Sequence, residues 1–297
     1  MEMNWGRVIT AMATPFAPDG SVDFDRAGEL ARRLVDTGTD SLVVAGTTGE
    51  APTLTDEEKI RLFRIVKEAV GPRAAVLAGT GTYDTAHSVH LSREAKRAGA
   101  DGLLLVVPYY NRPSQEGLYR HFRTIAESVD LPVMMYNIPG RTGTNMLAET
   151  IARLSEVPNI VAVKEAAGSL EQVSEIRRRT PETFLIYSGD DSLTLPFCSV
   201  GAVGVVSVAS HLVGGEIGEM IDAYHAGRVA EARRIHFRLL PLFKALFIAP
   251  NPVPLKAAME LSGFPIGQPR LPLVPATEAE QAQIAAVLRE TVGAPVA

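Results

Sequence analysis

Ile160-Val-Ala-Val-Lys164-Glu-Ala-Ala-Gly168 opens with a strand, Ile160 to Lys164, whose apolar residues do not alternate with polar ones. A strand of that kind is buried on both faces, as in a parallel sheet covered by helices. This strand runs out into a lysine. The chain has only six lysines, at positions 59, 67, 96, 164, 244 and 256, and the other five fall in polar or helical contexts. A lysine amine is a nucleophile only when neutral, and burial lowers its pKa by disfavouring the ammonium. A neutral amine attacks a ketone and forms a Schiff base, an electron sink for carbanion chemistry. The plainer alternative is a lysine that snorkels from a strand end to solvent, so the neighbouring strand ends must decide.

Working outward in both directions, the same unit repeats. Strands read at Arg7–Met12, Ser41–Ala45, Ala74–Ala78, Gly102–Val107, Val133–Asn137, Ile160–Lys164, Phe184–Ser188 and Gly204–Val208. Helices read at Phe24–Asp36, from the Thr55-Asp-Glu-Glu58 capping box to Val70, and at Asp84–Ala98, Gln115–Ser128, Leu147–Leu154, Leu170–Arg179, Leu193–Val200 and Val213–His225. Regular alternation means parallel strands, and eight units predict closure into an α/β fold, a (β/α)8 TIM barrel over residues 1–226. An open doubly wound sheet is the competing fold. It is disfavoured because the nearest dinucleotide-binding look-alike, Gly79-Thr-Gly-Thr-Tyr-Asp84, follows the third strand and lacks the last glycine. Residues 227–297 read as about three more helices, a C-terminal helical extension packed on the barrel.

In such barrels the functional side chains lie where strands pass into their helices. Strand two ends in Gly46-Thr47-Thr48-Gly49-Glu50, with hydroxyls and glycine-freed N–H groups suited to a carboxylate. Strand four ends in Pro108-Tyr109-Tyr110-Asn111-Arg112 and strand five in Tyr136-Asn-Ile-Pro-Gly-Arg141. These phenols share a rim with Lys164 and suit proton transfer at a Schiff-base carbon; Arg141 suits a second carboxylate. Strand seven ends in Gly189-Asp190-Asp191, where helix capping is favoured over metal binding. The six histidines, at 87, 90, 121, 211, 225 and 236, form no ligand set with suitable spacing, so no metal is expected and His87 and His90 read as solvent-facing.

The totals narrow the field. The chain has 297 residues, 46% hydrophobic and 21% charged, with net charge −5. No basic face points to nucleic acid and no 18-residue apolar run points to a membrane. The start, Met1-Glu-Met-Asn-Trp5, lacks the features of a secretion leader, and the single Cys198, in an apolar segment, fits a reducing, cytoplasmic setting.

Gly46-Thr-Thr-Gly-Glu50, Pro108-Tyr-Tyr-Asn-Arg-Pro-Ser-Gln-Glu-Gly117, Tyr136-Asn-Ile-Pro-Gly-Arg-Thr-Gly143, Val163-Lys-Glu-Ala166, Gly189-Asp-Asp191 and Pro250-Asn-Pro-Val-Pro254 together resemble the dihydrodipicolinate synthase family, within the Schiff-base (class I) aldolase superfamily. The resemblance covers essentially the whole chain. It implies a lyase of lysine and diaminopimelate biosynthesis that condenses pyruvate with L-aspartate 4-semialdehyde, with no cofactor beyond the covalent imine on Lys164. It implies that Thr48 binds the pyruvate carboxylate, and that Thr47, Tyr136 and Tyr110 relay protons, Tyr110 coming from a neighbouring subunit. Arg141 would receive the aldehyde's carboxylate, and Val206, where the family often has isoleucine, would present its carbonyl near pyruvate. Gly189 belongs to the same substrate-binding set. A homotetramer built from dimers is implied as well. The alternatives are another pyruvate-dependent aldolase, such as an N-acetylneuraminate or 2-keto-3-deoxy sugar acid lyase, or a barrel that only senses a keto acid. Family members inhibited by lysine bind it beside Tyr109. The matching positions here hold Ala51, Pro52, Asp56, Lys59, Tyr83 and His87, which offer a poor site for its α-ammonium, so weak or absent inhibition is expected.

Overall fold

In the computed structural model, which describes residues 5–293, eight parallel strands close on themselves in chain order. They are β1 (Val8–Ala11), β2 (Ser41–Val44), β3 (Ala75–Gly79), β4 (Gly102–Val106), β5 (Val133–Asn137), β6 (Ile160–Glu165), β7 (Leu185–Ser188) and β8 (Gly204–Ser207). β8 pairs with β1 and completes the TIM barrel. The helices are α1 (Phe24–Asp36), α2 (Asp56–Val70), α3 (Thr85–Arg97), α4 (Gln115–Glu127), α5 (Pro139–Thr142), α6 (Ala148–Leu154), α7 (Leu170–Arg179), α8 (Thr194–Cys198), α9 (Ser210–His225), α10 (Val229–Ala245), α11 (Val253–Leu261) and α12 (Glu278–Val292). The Met1–Asn4 part of the leader reading lies outside the described residues.

Strand alternation builds two apolar cores. Val43, Leu77, Leu104, Met134, Ala162, Tyr187 and Val206 fill the barrel interior. Their strand neighbours, such as Leu42, Val44, Leu103, Met135 and Val163, point outward and pack under the helices. Both faces of each strand are apolar, which is why the sequence shows no alternation. The capping box on α2 forms as read, with Glu58 N–H donating to Thr55 Oγ1 at 3.2 Å and Thr55 N–H to Glu58 Oε2 at 2.9 Å.

Many element ends differ from the sequence reading by a residue or two, and three of the differences have a clear physical cause. β6 runs one residue further, because Glu165 pairs in register with Asn137 and Ser188. A single helical turn, α5, follows β5; Pro139 opens it and Gly143, at φ 72°, closes it, so the periodic signal is too short to read. α9 begins at Ser210 rather than Val213. Val213 is non-helical (φ −136°, ψ 36°), and the turn before it is tied to β8 by Ser210 N–H donating to Ser207 Oγ at 2.8 Å. The Gly79/Gly81 pair has a packing role. A Cβ at Gly79 would lie 2.3 Å from Ala45 O, and one at Gly81 2.4 Å from Val106 N.

After α9 the chain turns back along the barrel: α10 packs on α9, and α12 on α10 and α11. The start of α11 reaches the strand-two turn. Lys256, 2% exposed, donates to Thr14 O at 3.0 Å and pairs with Glu50 Oε1 at 2.9 Å. Arg270 N–H donates to the other Glu50 oxygen at 2.9 Å, and its guanidinium grips Glu58. Glu50 needs this support, since it is buried in a left-handed conformation at φ 55°.

Candidate active site

Lys164 lies in register with Tyr136 on β5 and Tyr187 on β7. Ala162, two residues earlier, faces the barrel interior, so alternation turns Lys164 inward. Its Nζ sits 4.1 Å from the centroid of the Tyr136 ring. The side chain is buried, and among the described residues its amine has no hydrogen-bond or ion-pair partner. Burial pushes it down from 10.5 to about 7; the negative charge of Asp191 works against that, and Arg141 adds to it. The other five lysines all lie on helices, in keeping with the sequence reading, but a helical position does not mean exposure. Lys59 and Lys256 are also buried, at 8% and 2% exposure, but each has a carboxylate partner, Asp56 and Glu50. What singles out Lys164 is burial without a partner.

Tyr136 is buried, and burial pushes its phenol up to about 12; the Arg141 charge and the Thr47 hydroxyl pull it partly back. Next to the lysine, space is reserved by Gly189. A Cβ there would lie 2.6 Å from Ala166 Cβ and 3.1 Å from Lys164 Cε. Val206 lies on β8 with its side chain in the interior core.

A cavity of about 530 Å³ is walled by Gly46, Thr47, Tyr136, Ile138, Arg141 and Thr142. The same cavity is bounded by Asp56, Lys59, Tyr83, His87 and Tyr109. Thr48 is buried beside it, and its hydroxyl accepts a hydrogen bond from Asn251 Nδ2 at 3.0 Å. Tyr110 is the sequence-selected residue that the fold of this chain does not bring in. It is 93% exposed, at φ 72°, while Tyr109 next to it packs edge-on against Tyr83 at 5.2 Å. His87 does not simply face solvent; its Nε2 meets Asp56 Oδ2 at 2.8 Å.

Asp190 caps the turn after β7, accepting from Ser192 N–H at 2.8 Å. Asp191 instead ties that turn to β8. It is buried and accepts from the N–H groups of Val208 and Ala209, both at 3.0 Å, and from the Ser207 hydroxyl. Among the described residues no group of three or more His, Cys, Asp or Glu side chains is placed to hold a metal ion.

Behind Lys164 lies a polar network that residue-level reading did not assign. Glu165 is buried, and burial raises its pKa against the pull of its hydrogen bonds. Asn137 and Gln172 both donate to Glu165 Oε2 at 3.0 Å, Ala167 N–H donates to Oε1 at 2.7 Å, and Asn137 Nδ2 also reaches Asn145 Oδ1 at 2.8 Å. The network ties β6 to the segment that carries Arg141. Its sequence signal is positional: Asn137 and Glu165 directly follow Tyr136 and Lys164, so alternation places them on the opposite face.

Three comparisons agree with this geometry. A curated relative from Moorella thermoacetica, named 4-hydroxy-tetrahydrodipicolinate synthase, is 60% identical over 289 residues, covering 97% of this chain and 99% of its own. A solved dihydrodipicolinate synthase from Cyanidioschyzon merolae with lysine bound superposes with TM-score 0.96 at 50% identity, covering 97% of this chain and 98% of its own. One from Bacillus anthracis gives 0.95 at 48% identity, with the same shares covered. The dihydrodipicolinate synthetase family model matches residues 4–291, and the chain belongs to that family.

Proposed function

We infer that the chain is a 4-hydroxy-tetrahydrodipicolinate synthase, a lyase of the class I aldolase type that condenses pyruvate with L-aspartate 4-semialdehyde in lysine and diaminopimelate biosynthesis. The observation that carries the chemistry is the buried, unpaired amine of Lys164 against Tyr136. At neutral pH about half of such an amine is unprotonated. It attacks C2 of pyruvate, and loss of water leaves the imine. Thr48 and the N–H groups of its turn receive the carboxylate, with the Val206 carbonyl nearby and Gly189 leaving room for the adduct. Tyr136 moves protons between the adduct and Thr47, with Tyr110 of a neighbouring subunit closing the relay to solvent. Loss of a methyl proton gives the enamine, which attacks the aldehyde carbon, while Arg141 holds the aldehyde's carboxylate bidentately. The amine of the condensed chain then displaces Lys164 and closes the ring. No metal or organic cofactor enters any of these steps.

Residues 1–226 form the catalytic barrel in this reading and 227–297 the extension on it. The exposed, left-handed Tyr110 supports assembly, and we take the unit to be a homotetramer, a dimer of dimers, in the cytoplasm. Borohydride trapping with pyruvate, followed by a panel of acceptor aldehydes, tests the assignment. Lys164→Ala is expected to abolish trapping while the barrel stays folded. Full trapping by that variant, or a sugar aldehyde preferred over aspartate semialdehyde, overturns it.

A further inference from the structure

Besides the Lys256–Glu50 pair, the extension sends the side chain of Asn251 to the Gly46–Glu50 turn. Asn251, just before α11, is 6% exposed, and its Nδ2 donates to Thr48 Oγ1 at 3.0 Å. Its Oδ1 is buried with no partner among the described residues. The amide therefore makes one side-chain hydrogen bond, and that bond goes to the turn. An amide nitrogen is a donor only, whereas a threonine hydroxyl is one donor and two acceptors. With one acceptor site of Thr48 filled by Asn251, the hydroxyl proton must point elsewhere. Among the described residues neither Thr48 Oγ1 nor Thr48 N–H donates to any protein acceptor. Both donors remain for a ligand.

We propose that Asn251 is a positioning residue for the keto acid: it fixes the Thr48 hydroxyl as a donor aimed at the bound carboxylate. It does not touch the reacting atoms. The surroundings fix Asn251 in turn. It sits between Pro250 and Pro252, and the first turn of the helix it precedes is tied to the same loop through Lys256 and Glu50. A preoriented donor spares the ligand the cost of freezing a rotor and of displacing a competing acceptor. The inference rests on the imine reading of the site and adds to it a residue from outside the barrel strands.

Asn251→Asp and Asn251→Ala separate this role from support of the fold. An aspartate accepts the Thr48 proton, reverses the hydrogen bond and sets a negative charge beside the carboxylate subsite. The pyruvate concentration giving half-maximal borohydride trapping is expected to rise roughly 30-fold or more in Asn251→Asp and roughly 3- to 10-fold in Asn251→Ala. Turnover at saturating pyruvate should stay within roughly threefold, because an interaction present in the ground state and transition state alike moves KM and not kcat. Acetone, a ketone without a carboxylate, is the control: its trapping by wild type and both variants should be equal. Equal losses with pyruvate and acetone mean a purely structural role and overturn the proposal, as does an unchanged pyruvate response. If Asn251→Asp does not fold, Asn251→Ala carries the same comparison. Wild-type protein that traps neither ketone sinks the imine reading, and the proposal with it; wild-type protein that is half-saturated by acetone and pyruvate at equal concentrations sinks the carboxylate subsite and the proposal but leaves the imine reading standing.

Discussion

Lys164 is a lysine that the fold holds at a cost. The fall from 10.5 to about 7 corresponds to ~4–5 kcal/mol between protonation states. Between about pH 7 and 10.5 the unfolded chain binds more protons than the folded one, so this residue makes stability rise with pH across that window. Lys164→Met is therefore expected to be inactive yet stabilised, by about 2–4 kcal/mol at pH 6, with the gain vanishing toward pH 10.5. Denaturant melts of wild type and variant at both pH values check this; a gain independent of pH would assign it to packing instead. Gly189→Ala makes the complementary point about space. Its Cβ would press on Lys164 Cε from 3.1 Å, so the rate of imine trapping should fall by roughly tenfold or more while stability changes by about 1–3 kcal/mol. Trapping at the wild-type rate would show that the lysine has room to move. At this scale the sequence exposes Lys164 and Tyr136, because each directly follows the apolar run of its strand. It hides Lys256 and Asn251, because their partners, Glu50 and Thr48, lie some 200 residues earlier in the chain.

Elements carry the regulatory prediction. α2 and α3 line the part of the cavity that holds Asp56, Lys59, Tyr83 and His87. Asp56 is the acidic group there, and it is already engaged by His87 at 2.8 Å and Lys59 at 3.7 Å. Tyr83 fills space against Tyr109. An incoming lysine would have to take Asp56 from two neighbours and bring its own ammonium groups beside Lys59, which is unfavourable in a half-buried cleft. L-Lysine at millimolar concentration is expected to inhibit little or not at all, as read by an activity titration at saturating pyruvate. Saturable inhibition below about 1 mM would mean that other residues build the site. Most elements could be read from periodicity and caps, with strand ends off by about a residue. α5 and the first turn of α9 were not legible. The first is one turn long, and the second is held by Asp191 and Ser207 rather than by its own apolar pattern.

At the scale of the whole molecule the prediction concerns Tyr110, which faces away from the cavity on a loop of its own chain. Tyr110 is 93% exposed and held at φ 72°, a conformation that costs a tyrosine about 1–3 kcal/mol. In an assembly that supplies it across a boundary, Tyr110→Phe should slow turnover by roughly 10²-fold without changing half-saturation of trapping by pyruvate. Monomers forced by interface mutation should lose activity to a similar degree. Fully active monomers would show that each protomer completes its own relay. The closed order of eight strands was legible because the unit repeats; the exposure of Tyr110 was not, because in the sequence it reads as one more rim aromatic.

The bond from Asn251 to Thr48 spans 203 residues, and that separation sets a clock on synthesis. At roughly 5–20 residues per second, a ribosome that has finished Thr48 needs roughly 10–40 s more to reach Asn251. Throughout that interval the emerging chain has Glu50 without Lys256 and the Thr48 turn without Asn251, and for most of it β1 without β8. If pyruvate binds as proposed, with Asn251 orienting Thr48, its stabilising effect is expected only for a chain made almost to its end.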